Sequence, residues 1–266
     1  MRPAEHCNEQ GTGAGMLSGV PVLIPYHIDE RLPDLATALP LDWAHTTVVV
    51  DLPAGPTGWW RLVPLYSAVA EAVAADTAER RVVISGCCCP SLGIMAGLQR
   101  AGIDAGVVWF DAHGDVQTME TTTSGYLGGL PLRMLVGYRP ELVAEPIGLR
   151  PIPEERAMLV DARDLDPPEV AYLESAAVRR CTVEDVEVPD GPLLLHIDLD
   201  VIDPADLPGL RFPVPGGPSA ASVVAAVRRI LDTGRVAAFD IACTWDPSTP
   251  DSTGRRAALL GELLSA

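Results

Sequence analysis

The chain has 266 residues, of which 48% are hydrophobic, so its length and composition predict one large domain with a substantial core. Its formal net charge of -17 opposes binding to nucleic acids and to anionic membrane surfaces. The sequence shows neither an apolar run of membrane-spanning length nor a signal-peptide pattern, which predicts a cytoplasmic protein. We expect residues 1–18 to form a flexible N-terminal extension and residues 19–266 to form the domain.

Short apolar and β-branched segments recur along the chain, and several are almost continuously apolar, which is typical of parallel strands covered on both faces. The predicted strands are Val20–Ile24, Thr46–Asp51, Arg81–Ser85, Gly106–Asp111, Ala157–Val160, Val178–Thr182, Leu193–Asp198 and Val236–Ile241. Predicted helices between them include Leu65–Arg80, Pro90–Ala101 and Ser219–Thr233. This alternation predicts a three-layer α/β/α sandwich with a mostly parallel sheet of about eight strands.

Polar residues follow several predicted strands, at the ends where parallel sheets bind their ligands. These segments are Cys87–Cys89, Asp111–Asp115, Arg163–Glu169 and Asp198–Asp203. We therefore expect residues that are distant in the chain to meet at one edge of the sheet. The chain has six cysteines whose spacing is not that of a disulfide framework, so free thiols are expected.

The segment VVWFDAHGD places Asp111, His113 and Asp115 at alternate positions directly after an apolar strand. Carboxylate oxygens together with one imidazole suit manganese, zinc or iron. Taken alone, this segment is also compatible with a turn that carries solvated acids. Three other histidines lack ligand spacing and are expected at the surface or in loops: His6, His27 and His45.

A second acid-rich segment, LLLHIDLDVIDP, contains Asp198, Asp200 and Asp203. Five acids at one sheet edge would repel one another unless cations neutralised them. Two divalent ions about 3.5–4 Å apart would hold a bridging hydroxide of lowered pKa as the nucleophile. His196 precedes Asp198 by two positions and is interpreted as a core histidine bonded to the backbone.

These motifs, in this order, closely resemble the ureohydrolase family of arginases, agmatinases and related amidine hydrolases. The resemblance runs from about Arg81 to Asp251 and rests on Asp-Ala-His-x-Asp, Thr-Thr-Ser-Gly and Asp-x-Asp-x-x-Asp-Pro. It also includes a Gly-x-Arg-Asp-x-Asp-x-x-Glu-like segment and the turn Pro213–Gly217. The resemblance implies the arginase-like fold and a binuclear metal site.

By this resemblance, Asp111 and Asp198 bridge two manganese ions, His113 and Asp200 complete one site, and Asp115 belongs to the other. The sixth ligand departs from the family pattern, because Cys88 stands where the family motif Gly-Gly-Asp-His has its histidine. A thiolate is a credible ligand for zinc or iron and a less usual one for manganese. Manganese stays the favoured metal, and a buried Cys88 without a ligand role is the alternative.

Further departures concern the reaction itself. In TTTSGYLGGLPL, Tyr126 replaces an asparagine of the family, and Gly128 replaces the histidine associated with proton transfer. Cys243 aligns with a glutamate that pairs with the substrate guanidinium, so we include Cys243 among the substrate-binding candidates. Without the histidine, we expect Asp115 or Asp200 to pass a proton to the departing amine.

Cysteine at the histidine position together with Gly-Tyr-Leu-Gly-Gly resembles the branch that hydrolyses Nω-hydroxyarginine in antibiotic biosynthesis. An N-hydroxyguanidine is much less basic than a guanidine and needs less carboxylate pairing. The resemblance implies an amidinohydrolase that cleaves a C–N bond of a guanidino, hydroxyguanidino or amidine compound, with a hydroxyarginine-like substrate favoured over arginine. By family analogy, the amino acid end of the substrate contacts Gln117, Thr122, Ser124 and Asp166.

Two other functions stay open at this point. If Cys88 does not bind, Asp111, His113 and Asp200 would hold a single zinc, as in the deacetylases that share this fold. A degenerate homologue acting as a binding or regulatory protein fits the substitutions as well. The expected partner of the enzyme is a small guanidino or amidine molecule. A homo-oligomer is left open, because many relatives assemble as trimers or hexamers.

Overall fold

In the computed structural model, described for residues 20–38, 44–246, 248–251 and 253–266, a parallel β-sheet lies between two helical layers. The strands in these ranges are β1 (Val22–Ile24), β2 (Tyr26–His27), β3 (Glu30–Arg31), β4 (Thr46–Thr47), β5 (Arg81–Ser85), β6 (Gly106–Asp111), β7 (Ala157–Asp161), β8 (Arg179–Cys181), β9 (Leu193–Asp198) and β10 (Val236–Ala242). β2 and β3 form an antiparallel hairpin, and the other eight strands form one sheet. The predicted N-terminal extension, residues 1–18, lies outside the described residues.

The α-helices of the described ranges are α1 (Trp59–Ala75), α2 (Ser91–Arg100), α3 (Pro131–Leu135), α4 (Pro167–Ser175), α5 (Ala220–Leu231) and α6 (Arg255–Leu264). Helices α1 and α2 contribute to the core on one face of the sheet, and α5 and α6 contribute to the core on the other. The predicted three-layer α/β/α sandwich is thus confirmed. None of these helices is both long and apolar enough to cross a lipid bilayer.

The strand order of the large sheet is β4-β1-β5-β10-β9-β6-β7-β8, and all its strand pairs are parallel. After β5 the chain crosses to β6 and leaves a space that β9 and β10 fill later. Where the direction of strand addition changes, a crevice opens at the carboxyl ends of the strands, and ligands bind there in such sheets. The ends of β5, β6 and β9 therefore meet at this crevice.

Burial on both faces explains why the central strands are almost continuously apolar. Every residue of β5, β6, β9 and β10 is buried. Successive residues of a strand point to opposite faces, so Val107 and Trp109 join one core while Val108 and Phe110 join the other. The two cores hold the sheet rigidly from both sides and fix the positions of its strand ends.

Predicted and observed strands differ mainly at the sheet edge, where β4 covers only part of the predicted Thr46–Asp51. Pairing with β1 stops because Pro25 has no N–H to continue the ladder. The hydroxyl of Tyr26 takes over, donating to Val50 O at 2.9 Å and accepting from Val50 N at 3.1 Å. The Tyr26 side chain thereby satisfies the N–H and C=O groups of Val50, a residue that the sequence pattern placed in a strand.

The helix predictions miss some starts and some whole helices. Helix α1 begins at Trp59 and includes Pro64, whereas the prediction began the helix after this proline. Helix α4 begins with two prolines, which favour a first helical turn because its N–H groups need no partner within the helix. Helices α3, α4 and α6 were not predicted.

Helices α1 and α2 approach closely because α2 carries glycines at their contact. A Cβ atom at Gly97 would lie 2.6 Å from Val73 Cβ and 2.8 Å from Ala70 O. At Gly93, it would lie 2.7 Å from Tyr66 O. Glycine is therefore required here by the separation of the two helices.

Gly97→Ala should lower the free energy of unfolding by about 1–3 kcal/mol, because overpacking outweighs the better helix propensity of alanine. Gly261→Ala in α6 is the matched control, since a Cβ there meets nothing within 4 Å. This control should leave stability unchanged or raise it by up to about 1 kcal/mol. Urea unfolding measures both, and equal effects of the two substitutions would contradict the packing argument.

Candidate metal centre

Acidic residues from adjacent strands meet at the carboxyl edge of the sheet. Asp111 ends β6, Asp198 ends its neighbour β9, and Cys88 follows β5. A cavity of about 370 Å³ opens beside them. All six predicted metal ligands line it: Cys88, Asp111, His113, Asp115, Asp198 and Asp200. The topology thus brings together the residues that the motifs singled out.

The potential ligand atoms form two groups that share one carboxylate. Cys88, Asp111 and Asp198 form the first group, and Asp111, His113 and Asp200 form the second. Within each group the ligand atoms lie within 4.8 Å of one another. Asp111 is therefore the candidate bridging ligand, whereas Asp198 takes part in the first group only.

Backbone amides at the strand ends orient the carboxylates. The amide of His113 donates to Asp111 Oδ1 at 2.7 Å, and the amide of Asp200 donates to Asp198 Oδ1 at 2.9 Å. The amide of Ala112 joins the two segments by donating to Asp200 Oδ1 at 3.2 Å. Each chain turn after a strand thus fixes the carboxylates on which the site is built.

A buried aromatic and imidazole pair supports Asp111 from within the sheet. Trp109 Nε1 donates to Asp111 Oδ2 at 3.1 Å, and the indole stacks on His196 with ring centroids 3.7 Å apart. His196 Nδ1 lies 2.6 Å from Asp240 Oδ2, and both side chains are fully buried. The core location predicted for His196 is confirmed, but the partner of Nδ1 is a carboxylate of β10 and not the backbone.

The Cys88 thiol points at the carboxylates. Its Sγ lies 2.8 Å from Asp198 Oδ2 and 4.0 Å from Asp111 Oδ2, while Thr244 Oγ1 donates to Asp198 Oδ1 at 2.6 Å. Burial and the neighbouring carboxylates raise the pKa of Cys88 well above its usual range. A cation would displace this proton, because the thiolate is the form that binds metal. The five cysteines of the described residues all carry free thiols.

Asp115 lies in the same cavity but in neither ligand group. Its backbone has φ 54°, a left-handed conformation that non-glycine residues seldom adopt. The side chain is buried, and Oδ2 has no hydrogen-bond partner. A buried carboxylate oxygen without a partner is costly, so the position fits a site that accommodates a cation.

The charge balance of the site also fits divalent cations. Burial raises the pKa of Asp115 and Asp200 well above the usual range, and neighbouring carboxylates raise it further. Burial raises the pKa of Asp198 to about 6. For His113, burial lowers the pKa, but hydrogen bonds and charges of Asp111 and Asp200 raise it to about 12. One imidazolium cannot balance this set of acids, whereas two divalent cations can.

The wall beyond the acids carries polar residues that were predicted to bind an amino acid end. Gln117, Thr122, Ser124 and Asp166 all line the cavity. Gln117 Nε2 donates to Asp166 Oδ2 at 2.7 Å. Asp166 precedes α4, and Glu169 Oε2 accepts from its amide at 3.0 Å. The start of this helix therefore orients the polar wall.

Two polar residues singled out by the sequence lie away from the ligand groups. Cys243 is fully buried in the core cluster that does not contain Cys88, and it does not line the cavity. Thr244 lines the cavity instead, because successive residues of an extended segment point to opposite faces. Asp203 belongs to neither ligand group, and its Oδ2 accepts from Gly216 N at 2.7 Å to fix a turn.

Sequence reasoning missed the aromatic side of the cavity. The surface or loop location expected for His27 is wrong, because His27 is buried in the hairpin strand β2. Its ring centroid lies 5.8 Å from Tyr126 and 6.3 Å from Phe212, and both partners line the cavity. The available signal was that His27 follows the end of β1, at the sheet edge where the other site residues lie.

Comparison with known proteins identifies relatives over most of the chain. The model of the arginase family matches residues 26–264. Among curated proteins, the chain is 32% identical over 161 residues to an arginase of Bacillus subtilis, covering 54% of each sequence. It is 35% identical over 176 residues to an N(omega)-hydroxy-L-arginine amidinohydrolase of Streptomyces lavendulae, covering 64% of this chain and 62% of the relative. These alignments thus span less than two thirds of the relatives' lengths.

Solved structures extend the similarity of fold to nearly the whole chain. An arginase of Entamoeba histolytica, crystallised with L-ornithine, superposes with a TM-score of 0.80 at 22% identity. The superposition covers 95% of this chain and 99% of that one. A formimidoylglutamase of Bacillus subtilis superposes with a TM-score of 0.68 at 18% identity, covering 92% of this chain and 85% of that one.

Adding manganese to the chelator-treated protein should raise its thermal unfolding temperature, because a ligand that binds only the folded state stabilises that state. The stabilisation is about 2.7 kcal/mol when the free ligand concentration is 100 times Kd. Elemental analysis should find about two ions per chain, as expected of a binuclear site. Asp111→Asn should remove most of both effects, since Asp111 belongs to both ligand groups.

Asp203→Asn is the matched control, because Asp203 belongs to the same Asp-rich segment but to neither group. It should lower the unfolding temperature of the metal-free chain through its turn and keep the manganese-induced rise. An equal loss of metal in both variants would refute the assignment of Asp111.

Proposed function

Because this chain belongs to the arginase family, we propose that it is a metal-dependent hydrolase that cleaves a C–N bond of a guanidino, hydroxyguanidino or amidine compound. The observation that carries this proposal is the pair of ligand groups that share Asp111 at the edge of one cavity. The names of the relatives, arginase and N(omega)-hydroxy-L-arginine amidinohydrolase, support the same substrate class.

The metal ligands of this proposal are Cys88, Asp111, His113, Asp115, Asp198 and Asp200. Manganese is the first choice because carboxylates and imidazole suit it, and the thiol of Cys88 makes zinc or iron the alternatives. Two divalent ions would polarise the substrate and activate a water molecule. The protein itself supplies rigid strand ends, oriented carboxylates and an open cavity beside them.

Proton transfer to the departing amine falls to Asp115 or Asp200 in this proposal. Asp115 lines the cavity, and its Oδ2 is buried and has no hydrogen-bond partner within the protein. Asp200 is already engaged, with Oδ1 accepting from Ala112 N and Oδ2 lying 3.1 Å from His113 Nδ1. The unpartnered oxygen favours Asp115 as the group that handles the proton.

A hydroxyguanidine is the favoured substrate group. Gly128 stands where the family pattern has a histidine, so this position places no imidazole in the cavity. Cys243 aligns with a glutamate of the family, but its side chain lies in the core on the other face of the sheet and places no carboxylate in the cavity. An N-hydroxyguanidine is much less basic than a guanidine, so it depends less on a carboxylate partner outside the metal site. The similarity to an N(omega)-hydroxy-L-arginine amidinohydrolase supports this choice over arginine.

The amino acid end of such a substrate would lie against Gln117, Thr122, Ser124 and Asp166. Asp166 supplies a carboxylate for an α-ammonium group, and Thr122 and Ser124 supply hydroxyls for an α-carboxylate. The hydrogen bond from Gln117 holds the Asp166 side chain toward the cavity. This polar wall favours an amino acid over an amine such as agmatine.

A mononuclear zinc amidohydrolase is the second candidate. Asp111, His113 and Asp200 form a complete set of three protein ligands, and catalytic zinc sites have this ligand number. Metal stoichiometry separates the two candidates. One zinc per chain, unchanged by Cys88→Ala, would favour the mononuclear reaction.

The manganese-loaded protein should hydrolyse Nω-hydroxy-L-arginine to ornithine and hydroxyurea with a higher kcat/KM than it hydrolyses arginine or agmatine. The reason is that neither of the other carboxylates lining the cavity is left for a guanidinium: Asp166 is assigned to the amino acid end, and Glu169 accepts from the amides of Val116 and Asp166. Colorimetric detection of urea and hydroxyurea measures all three reactions. Absence of turnover in protein that contains bound metal would favour a binding or regulatory role.

Asp166→Asn should raise KM for amino acid substrates about tenfold to a hundredfold and change kcat little, because it removes a charged partner worth about 1.5–3 kcal/mol. The matched control is Asp164→Asn, two residues away, which does not line the cavity. Steady-state kinetics with both variants tests the assignment. An equal rise of KM in both would argue against contact between Asp166 and the substrate.

A further inference from the structure

Tyr126 fills the space into which a side chain of residue 128 would extend. A Cβ atom built on Gly128 would lie 2.5 Å from the hydroxyl oxygen of Tyr126 and closer still to its ring. The ring therefore lies directly over Gly128, and both residues line the cavity. The glycine at position 128 and the phenol at position 126 are thus structurally coupled.

The hydrogen bonds of His27 fix the direction of the Tyr126 hydroxyl. His27 Nδ1 lies 3.0 Å from Gly86 O, and because a carbonyl only accepts, Nδ1 carries the proton. Burial lowers the pKa of His27, which keeps the imidazole neutral and Nε2 unprotonated. Nε2 lies 3.1 Å from the Tyr126 hydroxyl, so the hydroxyl donates to it.

Tyr126 is also held by packing. Its ring stacks against His27 with an interplanar angle of 18°, and the ring of Phe212 lies 5.1 Å away between centroids. Phe212 in turn lies 6.4 Å from the ring of His113, one of the candidate metal ligands. Burial raises the pKa of Tyr126, and the nearby Cys87–Cys89 thiols and Asp115 raise it further, so the phenol stays neutral.

These contacts leave the Tyr126 oxygen with lone pairs and no proton for the cavity. We propose that Tyr126, positioned by His27, accepts a hydrogen bond from an N–H or N–OH group at the reacting end of the substrate. The inference rests on the proposed function, since it concerns the same cavity. Tyr126 is a substrate-binding residue here, and His27 is a positioning residue that acts through it.

The polarity of this contact bears on substrate choice. A phenol oxygen supplies an acceptor without a negative charge, so it suits the less basic hydroxyguanidine better than a strongly basic guanidine, whose cation also needs a counter-charge. The N-hydroxyl group adds a donor that guanidine lacks. Tyr126 thereby favours the hydroxylated substrate on grounds that are independent of the metal ligands.

The test measures binding of Nω-hydroxy-L-arginine to the manganese-loaded protein by titration calorimetry. Tyr126→Phe removes only the hydroxyl and should weaken binding about fivefold to tenfold, the effect of one hydrogen bond. Affinity for arginine should fall less, so the preference for the hydroxylated compound should shrink. Tyr138→Phe is the matched control, because the Tyr138 hydroxyl bonds to Glu120 and Met119 N and does not line the cavity.

Variants of His27 test the positioning role. His27→Ala should weaken binding of Nω-hydroxy-L-arginine as much as Tyr126→Phe does. The double variant that carries both substitutions should bind the compound only slightly more weakly than either single variant. His27→Gln keeps an acceptor for the phenol and should restore part of the affinity. A purely structural role would lower the unfolding temperature without changing the preference between the two ligands.

The outcomes separate this inference from the proposed function. If the wild-type chain binds Nω-hydroxy-L-arginine through Tyr126 but hydrolyses none of the compounds, the hydrolase proposal fails and the inference stands. If turnover occurs and Tyr126→Phe binds as the wild-type chain does, the inference is overturned and the hydrolase proposal stands. A wild-type chain that does not bind the compound also overturns the inference.

Discussion

Like charge confined at the buried edge of a parallel sheet is the constraint on which this structure depends. Asp111, Asp115, Asp198 and Asp200 lie within one small region, and their side chains are all buried. Such a set is stable only if amides, protons or cations offset its charge. The backbone turns after β6 and β9, the thiol of Cys88 and the two flanking cores together hold the carboxylates in place without spreading them apart.

The parts of this arrangement that depend on local sequence could be predicted. Strands β5, β6 and β9 begin and end at the predicted residues, because buried parallel strands appear as short apolar segments bounded by turn residues. The spacing of Asp111 and His113 likewise encodes a strand end followed by a tight turn. Given parallel strands, the meeting of these ends at one edge follows from topology alone.

The parts that depend on contacts between distant residues could not be predicted. His27 and Tyr126 are separated by 99 positions, and His196 and Asp240 by 44, and no periodicity links either pair. The orientation of Cys243 depends on where β10 ends, and a shift of one residue exchanges it with Thr244. Resemblance to a family aligned Cys243 with a functional position, but the backbone decides which side chain reaches the cavity.

The overlap between the Tyr126 ring and residue 128 has a consequence for the history of this site. The Tyr126 ring occupies the space of a Cβ atom at position 128, so a side chain there requires the tyrosine to move or to be replaced, and the two positions are epistatic. A lineage that exchanges the two arrangements by single substitutions, with the ring in this position, passes through a sequence that has glycine at 128 and no tyrosine at 126. Such an intermediate has neither the imidazole nor the phenol, which makes the exchange difficult to reverse and tends to keep the two arrangements on separate branches.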